Sequence, residues 1–466
     1  MGIFKAYDIR GVVPHELDEA GAFAIGYGFA RFLQEETHTP EPLIVIGRDM
    51  RMSGEGLTRA MIGGANTAGA RVVDAGLCTT PMLYAAVAFT PQASGGACVT
   101  ASHNGPEYNG FKLCRAGAVP VSRDTGLLRI EDLSHQAPSF APNSKVSSEA
   151  FPPRPGERAP VPPPDSRCSA ALWDAYWRRM RLFKRTWPDK VKLAIDPANG
   201  MGCLYVPLLK ALGAEIVSIN DTLDGTFPAH EANPIKAENL EPCQHLVHKN
   251  RATLGVAFDG DADRVAFVNE RGSGVPCDLL TAALARAMLA RNKGAAVLYD
   301  LRSSRAVDEI IREAGGKPVR ERVGHSFMKA TMRAKDCVFG GELSGHYYYR
   351  DAFYADSALM TVIEVLNAMG ESGKPLSELT ANVRRYHQSG EVNFEVADKD
   401  RVIKRLREHY RDGAMDELDG LTVNYPSWWF NVRPSNTEPL LRLNVEATTA
   451  EELSCHLSEL RALLEK

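Results

Sequence analysis

The stretch from residue 191 to residue 220 decides the fold class of this chain. It begins with the apolar run "VKLAID" (191–196), continues through "GMGCLYVPLLKALGA" (200–214) and ends with a second apolar run, "EIVSIN" (215–220). Short apolar runs bounded by turn residues are typical of strands, and the longer segment between them is typical of a helix. A strand, a helix and a second strand in this order predict a βαβ unit with parallel strands.

The same unit recurs along the chain. Two segments have helical periodicity, "CDLLTAALARAMLARN" (277–292) and "SRAVDEIIREAGG" (304–316). Strands that alternate with helices predict an α/β protein with mostly parallel sheets, and the unit returns three times at a spacing of roughly 100 residues. Further predicted strands are "LIVIG" (43–47), "RVVDAG" (71–76), "TLGVAFD" (253–259), "AAVLYD" (295–300) and "KDCVFGG" (335–341).

Two changes in composition divide the chain. One segment, residues 137–167, is rich in proline and serine without an apolar period, which predicts an extended linker or a surface excursion. After about residue 386 the pattern predicts strands around a helix, and hence a smaller α+β domain. We therefore expect three α/β domains and one C-terminal α+β domain, at residues 1–136, 168–272, 273–385 and 386–466.

The composition is that of a globular protein and indicates neither a nucleic-acid nor a membrane partner. The 466 residues are 44% hydrophobic and 24% charged, with a formal net charge of −4. This balance gives no electrostatic attraction to nucleic acid or anionic lipid, and no apolar run is long enough for a transmembrane helix. The nine cysteines have no metal-type spacing, so we expect reduced thiols and a cytoplasmic protein.

A serine and a histidine stand side by side where an apolar run ends. Ser102 and His103 follow "GGACVTA" (95–101) and precede an Asn-Gly turn signal. The serine is a candidate nucleophile or phosphoryl carrier with His103 as a nearby donor, but an ordinary turn explains the same residues. Lys112 lies close enough along the chain to reach this loop, although taken alone it is typical of a solvated charge.

Three aspartates alternate in "FDGDADR" (258–264), directly after another apolar run. Asp259, Asp261 and Asp263 offer the oxygen ligands that a hard divalent cation such as Mg²⁺ prefers, and a plain acidic turn is the alternative. The loop runs straight into the apolar "VAFV", which excludes an EF-hand. Arg264 beside these acids predicts an ion pair or a phosphate contact.

Three more loops carry groups suited to a sugar phosphate. His325 follows a glycine in "VGHSF" and is a candidate acid or base, though a lone histidine is often structural. The loop "GGELSGH" (340–346) combines a carboxylate with a hydroxyl, which suits vicinal sugar hydroxyls. In "VRPSNTEP" (432–439), an arginine, hydroxyls and an amide suit phosphate, although a capped turn explains them too. Taken together, the five loops predict phosphoryl transfer on a sugar phosphate.

Five segments in their order along the chain resemble the signature loops of the α-D-phosphohexomutase family. The resemblance is closest to the bacterial phosphomannomutase/phosphoglucomutase branch and extends from Lys5 to about Arg442. It implies three similar mixed-sheet α/β domains and a smaller α+β C-terminal domain around a central cleft. The segments are "KAYDIRG" (5–11), "TASHNGPEYNGFK" (100–112), "DGDADR" (259–264), "GGELSGH" (340–346) and "RPSNTEP" (433–439).

The resemblance also implies a role for each motif residue. Ser102 becomes the phosphoserine beside His103, and one of its oxygens joins the three aspartates on Mg²⁺. Lys112 and His325 transfer protons. Tyr7, Arg10 and Arg264 surround the transferred phosphate, and Glu342, Ser344 and His346 lie at the sugar. The phosphate that does not react is bound by Arg433, Ser435, Asn436 and Thr437.

The implied reaction is the reversible conversion of a hexose 1-phosphate, of mannose or glucose, to the 6-phosphate through a hexose 1,6-bisphosphate. We expect Mg²⁺ as cofactor, glucose 1,6-bisphosphate as activator, hexose phosphates as partners, and a monomer or small homo-oligomer. The resemblance also places Arg302 at the substrate, where relatives often have lysine; arginine keeps the charge but changes the geometry. A phosphoglucosamine mutase is the alternative, though Leu343 stands where that branch has glutamine. A Mg²⁺-dependent sugar phosphatase and a sugar-phosphate-binding protein are further alternatives.

Overall fold

Four β-sheets organise the chain in a computed structural model. The structure describes residues 2–142, 146–152, 156, 159, 169–396, 398–434 and 440–465. We number the domains 1 to 4 by their sheets, in chain order. Three α/β domains with mixed sheets and a C-terminal domain with an antiparallel sheet confirm the predicted fold class, whereas the boundaries expected near residues 136, 167, 272 and 385 stay a prediction.

Domain 1 contains seven strands and four helices of the described chain. Its first βαβ unit is the one predicted from "LIVIG" and "RVVDAG". The strands are β1 (Ile9–Val12), β2 (Leu43–Arg48), β3 (Arg71–Leu77), β4 (Ala93–Val99), β5 (Tyr108–Arg115), β6 (Val119–Pro120) and β7 (Glu149–Ala150), and the helices are α1 (Glu19–Thr37), α2 (Gly54–Thr67), α3 (Thr80–Phe89) and α4 (Leu127–Ser134).

Domains 2 and 3 repeat this strand-and-helix alternation. The elements of domain 2 are α5 (Ala170–Met180), β8 (Lys192–Asp196), α6 (Tyr205–Ala211), β9 (Glu215–Ser218), α7 (Ala237–Asn250), β10 (Leu254–Phe258), β11 (Val265–Val268) and β12 (Gly274–Val275). Those of domain 3 are α8 (Cys277–Arg291), β13 (Ala296–Asp300), α9 (Arg305–Glu313), β14 (Lys317–Glu321), α10 (His325–Ala334), β15 (Phe339–Gly341), β16 (Tyr347–Tyr349), β17 (Ala355–Asp356), α11 (Ala358–Ser372) and α12 (Leu376–Ala381).

The three α/β sheets share one strand order. They run β3-β2-β4-β5-β1, β9-β8-β10-β11-β12 and β14-β13-β15-β16-β17, and in domain 1 β7 and β6 are added. In each, the first three strands are parallel and the fourth pairs antiparallel with the third. The sheets are therefore mixed, as the family resemblance implied, whereas the alternation of strands and helices by itself predicted mostly parallel sheets. That alternation does not reveal a fourth strand that returns antiparallel through a hairpin.

This shared order places the polar loops at equivalent positions. The loop between the third and fourth strands holds Ser102 in domain 1, Asp259 to Arg264 in domain 2, and Glu342 to His346 in domain 3. Each therefore follows the carboxyl end of a buried parallel strand, where open α/β sheets bind ligands.

One hydrophobic core extends through the first three domains. It includes Met82 of α3, Trp173 of α5, Phe258 of β10 and Leu359 of α11, each at most 1% exposed. Helix α3 is apolar and buried from Thr80 to Val87, and it begins at the cap Thr79, whose side chain accepts from the backbone of Met82. Because α3 contacts both α5 and β17, it joins the three domains. Among the described helices, none has both the length and the apolar character needed to cross a bilayer.

Domain 4 has its own core and a different sheet. Its antiparallel order is β18-β22-β21-β20-β19, as expected for an α+β domain. Leu406, Phe430, Leu443 and Leu460 are completely buried between this sheet and the helices. The elements are β18 (His387–Glu395), α13 (Lys399–His409), β19 (Ala414–Asp416), β20 (Leu421–Asn424), β21 (Trp428–Pro434), β22 (Leu440–Ala447) and α14 (Ala450–Leu464).

The proline-rich segment is more than a linker where the structure describes it. Glu149 and Ala150 form β7, which pairs in parallel with β3 at the edge of the domain 1 sheet. Phe151 follows and is 2% exposed. A short strand and one buried aromatic side chain leave no periodicity in the sequence, so the expectation of an extended linker or surface excursion did not include this pairing.

Candidate active site

Ser102 lies at the end of β4 in a tight and strained turn. Its backbone φ is 53°, in the left-handed region that serine rarely adopts. Its hydroxyl donates to Asp259 Oδ2 at 2.8 Å and lies 3.4 Å from His103 Nδ1. The positive charge of Arg264, then burial, hold the pKa of His103 well below its ordinary value. The serine of domain 1 thus directly contacts the acidic loop of domain 2.

A buried arginine that the sequence analysis missed supports this turn. Arg51 donates to the carbonyl oxygens of Ser102 at 2.9 Å, Asn104 at 2.6 Å and Tyr108 at 2.9 Å. It pairs with Asp49 at 3.2 Å, and both side chains are fully buried. The signal was present in "GRDMR", an acid and an arginine after an apolar strand, but nothing local showed that Arg51 turns inward.

The three aspartates of domain 2 converge as predicted. Asp259, Asp261 and Asp263 are at most 2% exposed, and one carboxylate oxygen from each lies within 4.8 Å of the others. The loop folds back because Asp259 Oδ1 accepts from the backbone N–H groups of Asp263 and Arg264, at 3.2 and 3.1 Å. Burial, then the neighbouring carboxylates, raise the pKa of Asp259 well above its ordinary value.

Lys112 closes this acidic cluster. Its ammonium group lies 2.6 Å from Asp261 Oδ2 and 2.5 Å from Asp263 Oδ2, and its side chain is 6% exposed. Burial opposes the charge, but the carboxylates overcome that effect and raise the pKa of Lys112 above its ordinary value. The interpretation of Lys112 as a solvated charge is therefore wrong, because β5 pairs with β4 and places it beside the metal loop.

The acidic cluster fits a divalent cation. Asp261 Oδ1 is buried and has no hydrogen-bond partner within the described part of the chain, so it offers a lone pair toward the cluster. Three buried carboxylates with the Ser102 oxygen beside them form a hard oxygen donor set, which suits Mg²⁺. Arg264 Nε lies 3.8 Å from Asp259 Oδ2, as expected for an arginine that adjoins the acids.

The loop at residues 340–346 of domain 3, which we call the sugar loop, contacts the acidic loop (259–264) of domain 2 through a histidine. His346 Nε2 lies 3.2 Å from Asp263 Oδ1, and its Nδ1 lies 2.8 Å from Ser344 Oγ. Burial opposes protonation, yet the charge of Asp263 raises the pKa of His346 to about 9. Glu342 accepts from Gly324 N at 3.1 Å and from Tyr348 Oη at 2.8 Å, so the protein already fixes both of its oxygens.

His325 begins α10 close to this loop. Its ring centre lies 6.0 Å from that of His346 and 5.6 Å from that of Tyr7, whose hydroxyl donates to Val323 O at 3.1 Å. The buried Nδ1 of His325 has no hydrogen-bond partner among the residues that the structure describes. Burial, then the charge of Lys329, hold the pKa of His325 well below its ordinary value, which keeps the imidazole neutral.

Lys329 and its partners form a buried network that sequence reasoning missed. The side chain of Lys329 is 1% exposed, and its Nζ lies 2.8 Å from Asp356 Oδ2 and donates to Tyr84 Oη at 3.0 Å. The network joins domain 3 to α3 of domain 1. A lysine one helical turn after His325 resembles any surface lysine in the sequence, so no local signal identified it.

Arg302 and Arg433, two of the residues expected at the substrate, lie at the boundary of domains 3 and 4. Arg302 pairs with Asp300 at 2.8 Å, and Arg433 is 2% exposed at the end of β21. The other predicted members of the Arg433 phosphate site, Ser435, Asn436 and Thr437, lie outside the described residues.

Arg10, which is predicted at the transferred phosphate, lies in domain 1. It is hydrogen-bonded to Asp8 and to Asn104 of the serine loop.

The arrangement brings together a hydroxyl oxygen, a hard-cation site, a neutral histidine and a set of guanidinium groups. These groups come from all four domains. Loops at equivalent positions of the first two sheets supply the hydroxyl oxygen and the cation site, whereas the histidine begins α10 of domain 3. A hydroxyl beside a cation site can accept and release a phosphoryl group, since cations neutralise its negative charge.

Family models cover most of the chain. Those described as phosphoglucomutase/phosphomannomutase alpha/beta/alpha domains I, II and III match residues 1–139, 174–272 and 276–386. The model of the C-terminal domain matches residues 391–461.

Individual relatives match over nearly their whole length. The chain is 36% identical to a phosphomannomutase of Methanocaldococcus jannaschii, covering 100% of this chain and 98% of the relative. It is 37% identical to a protein of Xanthomonas campestris pv. campestris named phosphohexose mutases, covering 95% and 94%. A solved phosphoglucomutase/phosphomannomutase family protein of Burkholderia thailandensis superposes with a TM-score of 0.87, at 30% identity over 99% of this chain and 97% of that one.

Proposed function

This chain belongs to the phosphoglucomutase/phosphomannomutase family and is a phosphohexomutase, and from that premise we propose that Ser102 carries the phosphoryl group between substrates. The proposed reaction converts a hexose 1-phosphate of mannose or glucose reversibly to the 6-phosphate. The hydrogen bond from Ser102 to Asp259 at 2.8 Å carries this proposal, because it places the serine oxygen at the edge of the cation site.

The first step transfers the phosphoryl group from phosphoserine to the free hydroxyl of the sugar phosphate. The bond from phosphorus to Ser102 Oγ breaks, a bond to the sugar oxygen forms, and the hydroxyl proton leaves to a base. His325 suits that role, since its lowered pKa keeps it unprotonated near neutral pH. Lys112 keeps its charge and suits the stabilisation of the transferred group rather than proton removal.

The second step reverses the first at the other end of the sugar. The hexose 1,6-bisphosphate turns around, and its other phosphoryl group returns to Ser102 Oγ. Asp259, Asp261 and Asp263 would hold Mg²⁺, which supplies charge neutralisation at the transferred phosphoryl group. Arg10 contacts Asn104 of the serine loop, Arg264 lies beside Asp259, and Tyr7 lies beside His325. We assign these three side chains to contacts with the transferred group.

Recognition must serve both orientations of the intermediate. Glu342 and Ser344 suit vicinal sugar hydroxyls, which are present in either orientation, and His346 fixes the loop that carries them. Arg433 with Ser435, Asn436 and Thr437 suits the phosphate that is not reacting. Arg302, which lies 3.8 Å from Glu342, joins the sugar loop to this phosphate site. Glucose 1,6-bisphosphate would serve as activator by rephosphorylating Ser102.

The location of the protein stays a prediction. Cys98, Cys114 and Cys337 are buried as free thiols, which suits a reducing compartment such as the cytoplasm. The predicted oligomeric state, monomer or small homo-oligomer, stays a prediction too.

Phosphorus NMR tests the proposal. The protein with Mg²⁺ and a trace of glucose 1,6-bisphosphate receives mannose 1-phosphate or glucose 1-phosphate in separate tubes. We expect both to give 6-phosphates, and intact mass to show one added phosphoryl group on Ser102. Ser102→Ala should lower turnover by roughly a thousandfold or more, whereas Ser458→Ala, at an exposed serine of α14, should not change it.

The other outcomes separate the alternatives. If inorganic phosphate were the sole product, and if Ser102→Ala still released it, the protein would be a phosphatase that uses an aspartate rather than a mutase. Conversion of glucosamine phosphate only would indicate a phosphoglucosamine mutase. Full turnover in Ser102→Ala would contradict the phosphoserine assignment.

A further inference from the structure

Three arginines from two domains converge on a single carboxylate. Glu391 lies on β18, and its Oε2 accepts from Arg433 Nη2 at 2.9 Å. The same oxygen lies 3.4 Å from Arg302 Nη1 of domain 3. Its other oxygen, Oε1, accepts from Arg442 Nη1 at 3.0 Å. The sequence analysis gave this glutamate no role.

Without Glu391, this cluster would be repulsive across a domain boundary. The guanidinium groups of Arg302 and Arg433 are both buried, and burial together with the charge of Arg302 lowers the pKa of Arg433. Asp300 neutralises Arg302 through Nε and Nη2, at 3.2 and 2.8 Å, but it belongs to domain 3. Among the described residues, Glu391 is the carboxylate of domain 4 that bonds both arginines.

We propose that Glu391 is a positioning residue for Arg302 and Arg433, which we call the phosphate clamp. Glu391 holds the two guanidinium groups together so that both meet the phosphate of the substrate that is not reacting. This inference rests on the proposed function, which assigns Arg433 to that phosphate. Glu391 contacts the arginines and not the reacting atoms, so it acts through them.

The geometry leaves part of the Arg433 guanidinium group available for a further anion. Arg433 uses Nη2 for Glu391, while its Nε is buried with no hydrogen-bond partner in the part of the chain that the structure describes. A phosphate at this guanidinium can therefore bind without displacing Glu391. Arginine binds phosphate in a planar fork geometry, so the orientation that Glu391 imposes decides how well the anion is held.

The same geometry explains the arginine at position 302. Its planar group contacts Asp300 through two nitrogens and reaches Glu391 with the third. The single ammonium group of a lysine cannot contact both carboxylates in this way, because it is a point charge rather than a fork. Arg302 thus ties domain 3 to domain 4, a link that a lysine at this position would weaken.

Steady-state kinetics of three variants test the inference. Glu391→Gln keeps the shape of the side chain but removes its charge. It should raise KM for glucose 1-phosphate and mannose 1-phosphate by about tenfold, because the loss of a hydrogen bond between charged groups weakens binding by about that factor. We expect kcat to change by less than about threefold. Glu391→Asp keeps the charge on a shorter side chain and should give an intermediate KM. Glu395→Gln, at an exposed position of the same strand, should leave KM unchanged.

Each outcome decides for or against the inference. An unchanged KM in Glu391→Gln would overturn it, and so would a lower KM, which would show that Glu391 competes with the phosphate. If Glu391→Gln fails to fold, Glu391→Asp serves as the test: a higher KM supports the inference, and an unchanged or lower KM overturns it. Turnover of the wild type and of Ser102→Ala, measured in parallel, tests the proposed function separately. A wild type without mutase activity would contradict the proposed function. An active wild type together with unaffected Glu391 variants would contradict only this inference.

Discussion

Two residues of the acidic loop have opposite pKa shifts although their side chains are chemically identical. Burial and like charges raise the pKa of Asp259, whereas burial is outweighed at Asp263 by Lys112 and His346, which hold its pKa well below the ordinary value. Neighbours from domains 1 and 3 therefore decide the direction of the pKa shift at Asp263. Asp261 suits a test of the cation site, because its buried Oδ1 has neither a hydrogen bond nor an ion pair among the described residues.

Asp261→Asn should weaken Mg²⁺ binding and lower activity. The change removes one buried carboxylate from the cluster, while Lys112 keeps its ion pair with Asp263. We expect the Mg²⁺ concentration for half-maximal turnover to rise by about tenfold or more. Turnover measured over a Mg²⁺ dilution series checks this, with Glu241→Gln on the exposed side of α7 as control. Wild-type Mg²⁺ dependence in Asp261→Asn would remove the loop from the site.

One turn recurs in each α/β domain, at the end of the first parallel strand along the chain. There an aspartate Oδ1 accepts from the backbone N–H group two residues later, in Asp49 to Arg51, Asp196 to Ala198, and Asp300 to Arg302, at 3.0, 3.0 and 2.8 Å. In domain 3, Asp300 also accepts from Leu343 N of the 340–346 loop at 2.7 Å. In domain 1, Arg51 donates to Ser102 O, so in these two domains the turn supports the neighbouring hairpin loop.

Within helix α10, Lys329 contributes after burial to the lowered pKa of His325. Lys329 lies one turn after His325 on the same face, and the helix N-terminus also disfavours a cation there. Lys329→Met removes a positive charge, so the pKa of His325 should rise and the acidic limb of the kcat/KM profile should move to higher pH. The ratio of kcat/KM at pH 6 to that at pH 8 should therefore fall below the wild-type ratio.

Two comparisons make this prediction specific. Lys335→Met, at an exposed position just after α10, should keep the wild-type ratio. Lys329→Met leaves the carboxylate of Asp356 buried without its cation. The double variant Lys329→Met/Asp356→Asn should therefore be more stable than Lys329→Met, and its kcat/KM profile should be displaced to higher pH in the same way. A profile that coincides with the wild type in both variants would show that Lys329 does not act on His325.

At the scale of the whole molecule, domain 4 shares no hydrophobic core with the other domains among the described residues. The largest core runs through domains 1 to 3, a further core lies within domain 1, and a separate core fills domain 4. The contacts described between domains 3 and 4 are largely polar, such as Arg302 with Glu391 and Arg305 Nη2 with Tyr425 O at 2.8 Å. Polar interfaces of this kind permit relative domain motion, which suits closure over a substrate.

Calorimetry should therefore show two unfolding transitions. Leu443→Ala, in the core of domain 4, should destabilise the smaller transition by about 2–5 kcal/mol and leave the larger one in place. Leu359→Ala, in the shared core, should do the reverse. A single transition that both variants displace equally would mean that the four domains unfold as one unit.

The sequence predicted many of the elements, but it predicted only some of the contacts between their side chains. Apolar runs placed seven strands of the α/β domains, which are β2, β3, β8, β9, β10, β13 and β15, whereas strands such as β14, β16 and β17 were not predicted. The metal loop was identifiable because its three acids lie within five residues of one another. Arg51, Lys329, Asp356 and Glu391 gave no signal, because each acts through partners far away along the chain.

By itself, the sequence determined which segments form strands and helices and which loops carry the polar groups, since both follow from the residues next to one another. Only the tertiary structure decided which of those groups meet and what charge they hold. Lys112 and Asp263 are 151 positions apart, yet they form a buried ion pair. Desolvation and Coulomb interactions depend on distance through space, which no local pattern of residues contains.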